Sequence, residues 1–457
     1  MKISASSRRP SLFHSLSPDE QPWQQFQDQL FRSSSISQNT VLSKPPWLGR
    51  TDLSSWYIYI DRETATSGSN RQHLTQWATS LGISEPSSTR ARYVLLMQLI
   101  QSVQDCDSLV TLHGLYQSIT TKHGKVSDDA DSETALAAYQ SLLTLLGCLT
   151  LTFKTDQSPR PHWSTICAPC SLERPFRPQS LLESDSGSAE RAFGLMLASY
   201  GTILPEFSDD DGQLLHASIL NYSAMWQWAH VNIQWVDHVG SHLLFNPMKR
   251  TLSIFAHPAY SAIFCSGEFR KDLICRIIEG YPLGEGNTAA DTLHLMHQEV
   301  LLSYRLLFGW NSKSRQLFYS HRPPERMPDN DFLKALVGPI PRSRWKGVIG
   351  GPRSATYLKR FPHTFWPEAT LNHFNVLEEA DEYSSAEFAI FAPRLHKLQH
   401  YCSRRNPRKA WGMWQDRRNP REWITFWAVV LVGGLSLLLS LLQTILAAVQ
   451  VRLAQCT

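Results

Sequence analysis

Charge is scarce in this 457-residue chain, with Asp, Glu, Lys and Arg making up 18% against roughly a quarter in an ordinary globular protein. Together with 42% hydrophobic residues, that scarcity excludes a wholly disordered or collagen-like chain. Neither sign of charge dominates. The 44 basic and 40 acidic residues leave a formal +4, so the overall balance gives no ground for a nucleic-acid partner. No period of about 20 to 50 residues recurs, which argues against solenoids and propellers. The opening MKISASSRRPSLFHSLSP has basic residues but no apolar stretch behind them, and is not expected to act as a secretory signal. No Gly-x-Ser-x-Gly elbow and no complete kinase motif set occurs, and no complete catalytic constellation is visible.

One long apolar run stands against this sparse background. Ile424–Val449 reads ITFWAVVLVGGLSLLLSLLQTILAAV, and no charge falls between Glu422 and Arg452. About 20 apolar residues cross a hydrocarbon core of roughly 30 Å, and core helices of soluble domains are seldom apolar on every face for so long. Charge collects on one flank. From Asn311 to Glu422 there are 20 Lys+Arg against 11 Asp+Glu. Arg404, Arg405, Arg408, Lys409, Arg417, Arg418 and Arg421 crowd the entry to the span, whereas Arg452 alone follows it. The positive-inside bias therefore predicts a cytoplasmic N-terminal body. Trp411, Trp414, Trp423 and Trp427 lie at the same entry and suit an aromatic belt at the headgroup level. The basic cluster serves either topology alone or contact with an anionic leaflet.

With six residues after Val451, the span is expected to insert after translation ends, the topology of a tail-anchored protein. A long, strongly apolar span favours the endoplasmic reticulum or another secretory-route membrane over the mitochondrial outer membrane. Gly433, Ser436 and Ser440, followed by Thr444 and Ala447, recur at helical spacing and could let a second copy of the helix approach.

The remainder divides by composition. Residues 1–55 hold eleven Ser before Lys44 and read as mostly disordered. Residues 56–157 read as a mainly helical subdomain. Its first element, WYIYID (Trp56 to Asp61), has a strand-like aromatic and β-branched pattern. Helices follow near 71–81, 89–104 behind a Ser88 cap, 107–121, and 132–149 behind Asp131. A Pro- and Ser-rich linker is placed at 158–188. Residues 189–310 read as helices (near 189–200, 212–228 and 289–310) with VNIQWVD, HLLFN and TLSIFAH forming a β-meander or a hairpin with a preceding edge strand. Residues 311–423, with eleven of the 26 Pro, read as an irregular basic connector holding one helix near 387–402. The span at 424–449 and a short tail at 450–457 complete the chain. The expected class is α+β: a mainly helical cytoplasmic region with a small antiparallel β-meander or hairpin, plus one C-terminal transmembrane helix.

Three stretches share a pattern: LNYSAMWQWAHVNIQWVDHVGSHLLFNPMKRTLSIFAHPAYSAIF, EVLLSYRLLFGWNSKSRQLF and REWITFWAVVLVGGLSLLLSLLQTILAAVQ. Together with the early PWLGRTDLSSWYIYID, they resemble a set of uncharacterised filamentous-fungal (ascomycete) proteins with a Trp-Val-Asp β-hairpin region and a single C-terminal transmembrane helix. The resemblance covers most of the chain and implies an architecture. It implies no reaction and carries over no catalytic residue.

Several local patterns could carry chemistry. Cys167-Ala-Pro-Cys170, with His162 nearby, has the spacing of half a zinc site, but Cys265 and Cys275 make a poor second half; reduced intracellular thiols are the simpler reading. His238 and His242 are four apart but lack the glutamate of a metalloprotease helix and sit in a strand-like context. His294 and His297, with Glu299 nearby, would share one helix face. Asp209–Gly212 lacks both end ligands of a calcium loop, since its first and twelfth positions would be Phe207 and Ser218. Gly347–Pro352 lacks the Lys-Ser/Thr of a phosphate loop. Asn221-Tyr-Ser223 is a glycosylation sequon that a cytoplasmic location would leave unused.

No cofactor or metal ligand set is therefore expected, and no residue can be assigned a catalytic role from the sequence. The sequence favours a protein-interaction or scaffold module at a membrane surface, with the bilayer and a protein of unknown identity as partners. A membrane-bound enzyme with a dispersed active site is the alternative. A winged-helix reading of the helix and hairpin is weakened by the absence of Lys and Arg in VNIQWVDHVGSHLLFN.

Overall fold

The computed structural model describes residues 54–66, 68–106, 109–124, 132–157, 164–167, 189–199, 213–266, 271–281, 288–321, 332, 336–338, 365, 382–405 and 420–455. Within them the chain is a mainly helical α+β body with small sheets, followed by one apolar C-terminal helix.

The first element corrects the sequence reading. WYIYID is not a strand but part of helix α1 (Ser54–Asp61), continued by a π-helical turn, Arg62–Thr66. Trp56, Tyr59 and Ile60 are buried while Ile58 is 45% exposed, a spacing of three and four that belongs to a helix face. Helices α2 (Gly68–Ser80), α3 (Thr89–Gln104), α4 (Leu112–Lys122) and α5 (Ser132–Thr150) follow. The Ser88 hydroxyl accepts from the Ala91 amide and so starts α3 as expected; Asp131 lies outside the described residues. α5 is the internal pillar: Leu142, Leu143, Leu145, Leu146 and Leu149 are all buried.

An antiparallel hairpin, β1 (Lys154–Gln157) with β2 (Ser164–Cys167), follows α5, so a strand stands inside the expected 158–188 linker. After α6 (Phe193–Ser199), β3 (Leu214–His216) and the short helices α7 (Ala217–Leu220) and α8 (Tyr222–Ala224) occupy the place of the single helix expected at 212–228. Asn221 makes the break. Its backbone is extended, and its side-chain oxygen accepts from the Ala224 amide to start α8. A second π turn, Met225–Ala229, ends on His230 in the left-handed conformation, φ 52°.

The sheet that follows has the order β4 (Asn232–Val236), β6 (Thr251–Phe255), β5 (Phe245–Asn246). β5 and β6 form the expected antiparallel hairpin. β4 pairs with β6 in parallel, Asn232 opposite Thr251 and Val236 opposite Phe255, so the three segments are a hairpin with an added edge rather than a meander. The 3-10 turn Val239–Ser241 lets the chain cross between them.

Helices α9 (Pro258–Ser266), α10 (Lys271–Ile277) and α11 (Ala289–Tyr304) come next, the last continued by a π turn, Arg305–Gly309, and then α12 (Ser312–His321). The irregular-connector reading of 311–423 is corrected by α12 and by β7 (Glu382–Ser384), which pairs with β3, while α13 (Ala392–Ser403) stands where one helix was expected near 387–402. Phe388, Phe391, Leu395, Leu398 and Cys402 are buried in the same core as Trp56 and Leu146. The helical and hairpin segments expected as separate subdomains share that core. The Trp56 indole donates to the Cys148 carbonyl (2.9 Å), the Tyr260 hydroxyl to the Leu149 carbonyl (2.8 Å), and the Val239 amide to the Leu151 carbonyl (2.7 Å). The last helix is α14 (Pro420–Gln455).

Candidate functional site

α14 holds the feature with the most direct physical meaning. Trp427–Gln450, 24 residues, is long and apolar enough to cross a membrane, and none of its apolar window is buried against the body. Leu431, Val432, Leu437, Leu441 and Ile445 all face outward. Gly433, Ser436 and Ser440 lie exposed on the same helix, and the Ser436 hydroxyl is satisfied by donating to the Val432 carbonyl (2.9 Å). Of the basic and aromatic flank, Arg404 and Arg405 are exposed at the end of α13. Trp427 is half-buried, and only the backbone is described for Arg421 and Trp423. Arg408, Lys409, Trp411, Trp414, Arg417 and Arg418 lie outside the described residues.

A cluster of charge sits where α1 meets β4. Asp237 accepts from Arg62 (Nη2 to Oδ2, 2.6 Å) and stands 3.3 Å from Nε2 of His257, while Arg62 also reaches Glu63 (3.3 Å). The Arg62 guanidinium lies over the Tyr59 ring, 5.4 Å from its centroid. Burial alone would lower the Arg62 pKa, but Asp237 and, after it, Glu63 hold the guanidinium above its usual range. Asp237 and His257 are both buried, and the His257 ring lies against the Tyr59 and Phe255 rings. Asp237 belongs to the Trp-Val-Asp motif, but its partners lie 175 and 20 residues away, so no local pattern could have joined them.

A cavity of about 600 Å³ opens between the π turn after α8 and α12, lined by Trp226, Gln227, Trp228, His230, Asn232, Lys313 and Leu317. Trp226 is 37% exposed and lies tilted against His321, with centroids 4.6 Å apart; the Tyr222 hydroxyl is 2.8 Å from the same imidazole. Indole faces beside an ammonium group suit a ligand with an apolar part and an anionic part.

The histidine pairs suggested by spacing do not converge. His242 Nδ1 accepts from the Phe255 amide (3.1 Å), which leaves the proton on Nε2 facing the Ser303 hydroxyl at 2.7 Å. His238 stands on the other side of the 3-10 turn. His297 is 3.0 Å from the Ser261 hydroxyl, and burial pushes its pKa down to about 3. His294 instead contacts Gln298 (3.1 Å). Glu299 is buried in the body. There its carboxylate accepts from the Ile390 amide (2.9 Å) and the Phe391 amide (2.8 Å), closing the start of α13. Burial raises its pKa to about 8 against the opposing pull of those two amides. The Asn221 sequon is closed as well: the residue is buried and its side-chain nitrogen donates to the Ala217 and Ser218 carbonyls. Cys167 is described in its backbone alone, and Cys170, Asp209–Gly212 and Gly347–Pro352 lie outside the described residues.

No protein-family model, curated protein or solved structure matches the chain.

Proposed function

We propose that this chain is a single-pass, tail-anchored membrane protein whose folded body is a protein-interaction or scaffold module held on the cytoplasmic face of an endoplasmic-reticulum or secretory-route membrane. The observation that carries the reading is α14, whose apolar stretch is exposed from Ala428 to Gln450. In water such a surface is costly at about 25 cal/mol per Å² of apolar area, and a bilayer removes that cost. The cytoplasmic side follows from the basic residues before the span. A scaffold role is supported by the allocation of the buried histidines and Glu299, which hold elements together rather than line a cleft.

A membrane-bound enzyme is the second reading, and the Asp237–His257 pair braced by Arg62 is the arrangement that favours it. Proximity labelling tests the first. The intact chain should mark a set of membrane-associated neighbours that a chain ending at Arg421 does not; recovery of the same neighbours by both contradicts a membrane-organised role.

A further inference from the structure

The chain leaves the body for the membrane at a definite place. α13 ends at Ser403, and the Tyr401 ring packs on Phe245 of β5 (centroids 4.7 Å apart) with the Arg405 guanidinium 5.0 Å over it. The turn that joins β5 to β6 therefore stands beside the exit. Residues 406–419 are the only ones between Arg405 and the start of α14. Even fully extended, fourteen residues reach about 50 Å, so this end of the body is kept near the bilayer that receives α14.

The turn itself is built to present an apolar tip between cations. Asn246 and Thr251 are paired, leaving Pro247, Met248, Lys249 and Arg250 as the loop. The Asn246 side-chain oxygen accepts from the Met248 and Lys249 amides, both at 3.0 Å, which fixes the backbone of the tip. Arg250 closes it with φ 52°, a conformation in which a glycine would cost less. Held this way, Met248 is 89% exposed, the most exposed large apolar side chain of the described residues. Lys249 and Arg250 are exposed beside it, as are Arg404 and Arg405 at the chain exit. Glu382 on β7 is engaged 3.4 Å from His216. A lone exposed methionine means little. A rigid one, flanked by cations and tethered within reach of a membrane, has the composition of a surface that enters an anionic headgroup layer.

We propose that this end of the body is a lipid-docking surface: Met248 enters the headgroup layer of the anionic leaflet while Lys249, Arg250, Arg404 and Arg405 bind lipid phosphates and carboxylates around it. The proposal rests on α14 being the membrane span. It adds a second point of contact, formed by the fold, which sets the orientation of the body on the bilayer.

The test uses the full chain in vesicles, with a photoreactive benzoylphenylalanine replacing Met248 or, as a control, the exposed Thr79. Thr79 lies on α2, which packs on the Arg62 turn at the opposite end of β4. In phosphatidylcholine vesicles containing phosphatidylserine, position 248 should form lipid adducts and position 79 should not. The yield should fall roughly tenfold when Lys249→Ala and Arg250→Ala are combined, or when phosphatidylserine is omitted. Equal yields at the two positions, equal yields without anionic lipid, or crosslinks to a second copy in place of lipid overturn the proposal. Alkaline carbonate extraction of the same vesicles separates its failure from that of the spanning reading: protein retained without adducts at 248 overturns docking alone, and protein stripped from the vesicles overturns both.

Discussion

At the scale of single residues, Glu299 is the group whose chemistry and packing are most tightly joined. Its carboxylate is fully buried on α11 and takes two amides from the start of α13. Unfolded, it gives up its proton near 4.5; folded, near 8. Between those values the native state holds a proton that the unfolded chain has lost. Its contribution to stability is therefore greatest below about 4.5 and declines as pH rises through 8. The histidines act in the opposite sense at lower pH. His297, with its pKa pushed down to about 3, costs stability as pH falls below its ordinary 6.5. The interval between about pH 6.5 and pH 8 isolates the glutamate. Wild-type protein should lose urea resistance across it, and Glu299→Gln, which keeps an acceptor but no titration, should not. Equal losses in the two proteins would refute this assignment. Neither partner of Glu299 was legible in the sequence, because a side chain on one helix accepting from amides 91 and 92 residues away leaves no spacing to read.

At the scale of elements, legibility followed from how local the determining forces are. α3 begins and ends where the Ser88 cap and the apolar periodicity place it, and α11 with its π turn fills the expected 289–310. α1 was misread because Trp, Tyr and Ile are as much at home in strands as in helices; the deciding fact is which side chains the core takes up. β7 and α12 were missed within a stretch that composition marks as a connector. β7 exists by virtue of its pairing partner β3 far upstream, with Leu215 opposite Tyr383. α6 shows how tightly such elements are fitted. A Cβ on Gly194 would lie 2.3 Å from the Glu279 carbonyl oxygen and 2.6 Å from that of Ile278. Since both are backbone atoms that cannot swing aside, Gly194→Ala should destabilise the body by about 3 kcal/mol. A thermal unfolding midpoint unchanged by the substitution would mean that α6 is not seated against the 278–281 turn.

At the scale of the molecule, the core and the apolar helix α14 are distinct. Among the described residues, the buried core runs from Trp56 to Cys402 and takes in none of α14. Removing everything after Arg405 should accordingly leave the thermal midpoint of the body unchanged while releasing it from the membrane pellet. A large drop in that midpoint would show that α14 supports the fold. The long apolar helix was the most legible feature of all, because a run without charge needs no tertiary partner to be recognised.

The pairing of β3 with β7 also sets a timetable. On the ribosome, the body up to α12 can begin to collapse, but the edge of β3 and the seat of α13 stay uncovered until Tyr383 and Leu398 have been made. At about 5–20 residues per second, the stretch from His321 to Ser384 takes several seconds to synthesise. By the time α13 can dock, the apolar α14 follows it closely out of the ribosome. Completion of the fold and emergence of the apolar helix thus fall in the same short interval, and a nascent chain delayed there exposes an unpaired strand edge and an apolar helix together.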